Sequence, residues 1–81
     1  MKEMNWTQED NKLTKRFETK DFSELTAKLN VIAVIADEMD HHPDFKVWGY
    51  NKIEFSLSTH TSNSVTDMDY QLAEHINEVF G

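Results

Sequence analysis

Three of the four histidines fall in two short polar clusters, Asp37-Glu38-Met39-Asp40-His41-His42-Pro43 and Ser58-Thr59-His60. Histidine has an ordinary pKa of roughly 6.5, so at neutral pH it can both take and give a proton within one turnover. Two clusters from different parts of the chain could therefore supply an acid and a base to one substrate. On its own, a His-His-Pro step at a helix end is usually just hydrated surface. A metal site is the competing chemistry, because Glu38 and His41 form a Glu-x-x-His step. Carboxylate-bridged di-iron bundles need two such steps plus two further glutamates on facing helices, and this chain offers one, so no metal is expected. The fourth histidine, His75, falls on the polar face of a helical pattern and reads as surface.

The elements that must position these groups are legible from periodicity. Between Trp6 and Glu18 a polar cluster, Gln8-Glu9-Asp10-Asn11-Lys12, is flanked by Trp6 and by Leu13 with Phe17, which predicts a hairpin. From Asp21 the apolar residues Phe22, Leu25, Leu29, Ile32, Ala36 and Met39 recur at helical spacing, with Asp21 as N-cap and Glu24 as its partner. That helix should end near Asp40, because His42 precedes Pro43 and the residue before proline is pushed out of the α region. A short segment around Val47 and Trp48 and a turn at Gly49-Tyr50-Asn51 follow. A strand is then predicted from Lys52 to His60, with Ile53, Phe55, Leu57 and Thr59 on one face and Glu54, Ser56, Ser58 and His60 on the other. A second helix begins after Ser62-Asn63-Ser64, with Thr66 as N-cap, Asp69 as the N3 carboxylate and Val65 with Tyr70 as a hydrophobic staple. Leu72, Ala73, Ile76, Val79 and Phe80 form its buried stripe ahead of Gly81.

Composition narrows the partners. A chain of 81 residues is expected to form one domain, residues 1–81, whose own core barely offsets the entropy of ordering it. Assembly into an oligomer would help, and the first helix suggests how: Val31-Ile32-Ala33-Val34-Ile35-Ala36 is apolar on every side, so the spare face of Val31 and Ile35 is expected to pack on another subunit. With 15 acidic residues against 8 basic ones, the formal charge of -7 repels nucleic-acid phosphates and anionic lipid, so direct nucleic-acid binding is disfavoured. The longest apolar run is far short of a membrane span, no targeting signal is visible, and the absence of cysteine suits a reducing cytoplasm.

The wider constellation is more specific than any one cluster. Asp37, His41-His42-Pro43, the aromatic Tyr50, His60 and Asp69 follow one another at a spacing that resembles the signature of the pterin-4a-carbinolamine dehydratases, also called 4a-hydroxytetrahydrobiopterin dehydratases. Lys20-Asp21-Phe22, Asp40-His41-His42-Pro43-Asp44-Phe45 and Leu57-Ser58-Thr59-His60 are similar to the family too, and the likeness runs from about Trp6 to the C-terminus. The resemblance implies an α+β fold, a four-stranded antiparallel sheet with two helices packed on one face. It implies dimers joined through their sheets and paired into tetramers through their helices. The reaction implied is loss of water from a 4a-hydroxytetrahydropterin to give the quinonoid dihydropterin, in tetrahydrobiopterin recycling, with no metal or organic cofactor. By the same resemblance His41 and His60 would be the acid and base, with His42 holding the substrate and assisting. Asp40, Pro43, Phe45, Ser58, Thr59 and Asp69 would line the pocket, and Asp37 would stand behind as an orienting carboxylate, one methylene shorter than the glutamate many relatives carry there. Many relatives also carry a longer segment ahead of the position matched by Trp6, where pocket walls and assembly are free to differ. Some members of the family also bind a homeodomain transcription factor through the helical face, so a noncatalytic interaction protein is the rival class.

Overall fold

The computed structural model describes residues 6–81. Strands β1 (Thr7–Glu9) and β2 (Lys12–Glu18) lead into helix α1 (Phe22–Met39), followed by β3 (Asp44–Trp48), β4 (Lys52–Leu57) and helix α2 (Asp67–Phe80). The four strands form one antiparallel sheet in the order β1-β2-β4-β3. The fold class is therefore the expected α+β arrangement.

Local chemistry sets each boundary. The β1–β2 hairpin closes on Asp10 and Asn11, whose φ angles of 51° and 61° are the left-handed pair that a two-residue turn requires. At the start of α1 the Asp21 carboxylate accepts from the Glu24 N–H at 2.8 Å, while the Glu24 carboxylate accepts from the Lys20 N–H at 2.8 Å. At its end Asp40 turns left-handed (φ 53°, ψ 41°), with its N–H directed to the carbonyls of Ala36 and Asp37. The helix thus stops at a local αL cap, two residues ahead of the position that proline constrains.

Leu13 from β2, Ile53, Phe55 and Leu57 from β4, Leu25 and Ile32 from α1, and Leu72, Ala73, Ile76 and Phe80 from α2 make the core. Alternation on β4 sends the other residues to the opposite face of the sheet, where Arg16, Glu54 and Lys46 stand in one cross-strand row. Glu54 is bridged to Arg16 at 3.2 Å and to Lys46 at 3.4 Å. The hydrogen bond from Arg16, working with Lys46 and against partial burial, lowers the Glu54 pKa below the ordinary carboxylate value.

Two expectations need correction. The strand predicted to reach His60 ends at Leu57, because its neighbours run out: β2 pairs only as far as Leu13 opposite Leu57, and β3 begins at Asp44 opposite Ser56. Thr59 forms an isolated bridge with Ser64 instead, so His60 lies in an exposed turn and not on the polar face of a strand. In α1, Ile35 packs against the intrachain core, whereas Val31 (46% exposed) and Val34 (53%) carry the surplus apolar surface. At the start of α2, Val65 packs on the core and the Tyr70 hydroxyl donates to Gln8 on β1 at 3.0 Å.

Candidate active site

The α1 cap decides where the histidines go. Because the chain reverses at Asp40, the His41 N–H returns to the Ala36 carbonyl at 3.1 Å, and the side chains of His41 and His42 part company. His41 turns inward, with a side chain 13% exposed, and its Nε2 meets Asp69 Oδ1 at 2.5 Å. His42 stays outside and its Nε2 meets Asp37 Oδ1 at 2.8 Å, both side chains more than half exposed.

Asp69 is fully buried as the third residue of α2, and a buried carboxylate needs donors on its oxygens. It has them. Its Oδ2 accepts from the Thr66 N–H at 2.9 Å, the capping contact that the Thr66/Asp69 spacing predicts, and from the Thr59 hydroxyl at 2.9 Å. Thr59 Oγ1 in turn lies 2.7 Å from Thr66 Oγ1. The end of α1, the segment after β4 and the start of α2 are thereby tied together around one carboxylate, and His41 is held by a group 28 residues away in sequence. Charge-assisted bonds of this kind are about twice as strong as neutral ones.

Beside this network, α1 and β3 enclose a hollow of about 380 Å³. His42, Asp37, Pro43 and Phe45 line it together with the apolar Leu29, Ile32, Ala33 and Ala36. Its size and its apolar lining with a few polar groups are those of small-molecule sites. His41, Ser58, Thr59, His60 and Asp69 do not line it. His60 follows Thr59 directly in the chain, but its side chain makes none of the hydrogen bonds found among the described residues. Asp40 is exposed at the αL cap, immediately ahead of the two histidines. Tyr50, the aromatic member of the spacing, is 64% exposed in the β3–β4 turn. It lies at the opposite end of β4 from Thr59, a separation of about 20 Å at strand rise.

The structure therefore brings His41, Asp69 and Thr59 into one hydrogen-bonded cluster, and His42, Asp37, Pro43 and Phe45 around one hollow. Asp37 stands behind His42 and not His41. Thr66 is the member that sequence reading recognised only as a cap; the signal available was its place three residues before Asp69. Among the described residues no three histidine, aspartate or glutamate side chains are grouped so as to hold a metal ion, and no helix is long and apolar enough to cross a membrane.

Comparison with known proteins shows the family. A family model described as Pterin 4 alpha carbinolamine dehydratase matches residues 1–79. A Sulfolobus acidocaldarius protein provisionally named pterin-4-alpha-carbinolamine dehydratase is 47% identical over 74 residues, which cover 91% of this chain and 80% of that protein. A Metallosphaera sedula protein of the same provisional name is 40% identical over 75 residues, covering 93% and 77% respectively. Among solved structures, a transcriptional coactivator/pterin dehydratase from Brucella melitensis superposes with a TM-score of 0.89 at 33% identity, covering 94% of this chain and 82% of that one. A pterin dehydratase-like protein described as a RuBisCO assembly factor of the alpha-carboxysome superposes at 0.75 with 19% identity, covering 95% and 88%, a likeness of fold alone.

Proposed function

We propose that this chain, which belongs to the pterin 4 alpha carbinolamine dehydratase family, removes water from a 4a-hydroxytetrahydropterin by histidine acid/base chemistry. The observation that carries the reading is the clamped His41: a part-buried imidazole, held by a fully buried carboxylate, next to an outward His42 at the mouth of an apolar hollow. In the reaction the N5 proton leaves, N5 and C4a become doubly bonded, and the C4a–O bond breaks as the hydroxyl takes up a proton and departs as water. One histidine must take the first proton while another gives the second. His41 and His60 are proposed for these roles, with His42 holding the ring and Asp40, Pro43, Phe45, Ser58, Thr59 and Asp69 around it. Stopped-flow decay of a 4a-hydroxytetrahydropterin with and without the protein is the direct test, and an unchanged decay rate would reject the reading.

Nothing in this chemistry calls for a Lewis acid. Turnover is expected to survive exhaustive treatment with EDTA. Loss of activity that a defined metal restores would instead revive Glu38 and His41 as ligands.

A second reading has its own support, the apolar surface left outside the core. Val31 and Val34 on α1, and Phe45 (48% exposed), Val47 (37%) and Trp48 (37%) on the edge strand β3, are uncovered. An exposed apolar edge strand is normally covered by a partner. The name of the Brucella melitensis relative, a transcriptional coactivator as well as a pterin dehydratase, supports a protein partner as one use of such surface. We favour further copies of this chain as the cover, and expect sedimentation to show a dimer or tetramer at micromolar concentration. Val31→Glu with Val34→Glu should yield a smaller, folded species, because neither side chain belongs to the core. A compact monomer at all concentrations would exclude this assembly.

A further inference from the structure

The hydroxyl pair behind Asp69 has a proton order that can be worked out. Thr59 Oγ1 carries one hydrogen but faces two acceptors, Asp69 Oδ2 at 2.9 Å and Thr66 Oγ1 at 2.7 Å. An ionised carboxylate only accepts, so the Thr59 hydrogen must go to Asp69. The bond between the two threonines then has to use the Thr66 hydrogen. Asp69 Oδ2 is filled by Thr59 and by the Thr66 N–H, and Oδ1 is left to His41 Nε2. That nitrogen must therefore carry a hydrogen, and in a neutral imidazole the other nitrogen is then bare.

We propose that Thr66 is a positioning residue for the site: through Thr59 and Asp69 its hydroxyl locks His41 with hydrogen on Nε2, presenting an unprotonated Nδ1 as the atom that takes the substrate proton. The inference rests on the dehydratase reading for the identity of that proton. Thr66 itself touches neither hollow nor substrate-facing histidine; it acts through the two residues between. If its hydroxyl is removed, the Thr59 oxygen loses the hydrogen bond donated to it, and the bond Thr59 gives to Asp69 weakens and is less fixed in direction, because a hydroxyl that accepts is the stronger donor. The carboxylate can then rotate and its hold on the imidazole loosens. A methyl group in place of the hydroxyl keeps the Thr66 backbone N–H, so the capping contact to Asp69 remains.

The test combines nitrogen NMR of the histidine ring with kinetics on Thr66→Val and Thr66→Ser. In the parent protein, neutral His41 should show hydrogen on Nε2 only, with an Nε2–H proton resonance far downfield and slow to exchange. In Thr66→Val that resonance should move upfield or broaden into solvent exchange. At the same time kcat should fall about tenfold, the size of one lost hydrogen bond expressed in the transition state, with KM little changed. Thr66→Ser, which restores the hydroxyl, should recover both. A purely structural cap would lower thermal stability in the valine variant and leave the resonance and kcat alone; that outcome overturns the proposal, as does hydrogen on Nδ1 of neutral His41 in the parent protein. The parent spectrum decides even if the valine variant does not fold. Should the parent show no dehydratase activity while the resonance still responds to Thr66, the functional reading fails and the positioning role stands.

Discussion

Replacing His41 with glutamine is expected to slow dehydration by roughly 10²- to 10⁴-fold, the range for losing a general acid or base, while leaving the fold in place. Glutamine is the sharper substitution because its amide can still donate to Asp69, which is fully buried and would otherwise lose one of its donors. His41→Ala should give the same rate loss with an added stability cost of about 1–3 kcal/mol, the penalty for an under-satisfied buried acceptor. His60→Ala is expected to slow turnover with no such cost, since His60 is exposed and its side chain makes no hydrogen bond among the described residues. The pair of variants separates chemistry from architecture. Circular dichroism and urea titration establish folding, and single-turnover decay of a 4a-hydroxytetrahydropterin measures the step. Full turnover by a folded His41→Gln protein would remove His41 from the mechanism.

That the cluster residues could be read from sequence, while their pairings could not, has a physical cause. Asp37 lies four residues before His41, the separation at which helical side chains meet, so local spacing points to that pair. The left-handed cap at Asp40 breaks the helical relation one residue too early for it, and Asp37 meets His42 instead. His41 is then free to reach a carboxylate on another helix, a contact that no local period encodes. The caps themselves were legible because they are local: Asp21 with Glu24, and Thr66 with Asp69, lie within one turn of each other. The length of β4 was not, since alternation continues through Ser58, Thr59 and His60 while the neighbouring strands that would pair with them stop. Likewise the run from Val31 to Ala36 shows that α1 has more apolar surface than one contact needs. Which of its residues face inward depends on how α1 lies over the sheet; Ile32 and Ala36 are buried, and Val31 and Val34 are not.

Phe55→Ala should leave the protein unfolded or nearly so at low concentration. Phe55 is completely buried in the middle of β4 and lies at ring-centroid distances of 5.4 Å from Phe80 and 6.2 Å from both Phe17 and Phe45. Truncating a buried phenylalanine costs about 3–5 kcal/mol, from lost transfer free energy and from the cavity left behind. A chain of this length has roughly 4–12 kcal/mol of stability in all, so a large share of it is at stake in one side chain. Phe45, directly opposite Phe55 on β3, supplies the control because it is the same residue type at 48% exposure. Phe45→Ala should cost only about 1 kcal/mol in the isolated chain, in keeping with its partial burial. A larger loss that grows as the protein is concentrated would mean that assembly covers Phe45, since a partner that binds only the folded form adds stability by mass action. Urea midpoints measured across a hundredfold range of concentration distinguish the two contributions. Equal costs for Phe55→Ala and Phe45→Ala at the lowest concentration would mean that burial on the helix-facing side of this sheet does not set its stability, and the account of the core given by β4 and α2 would have to be abandoned.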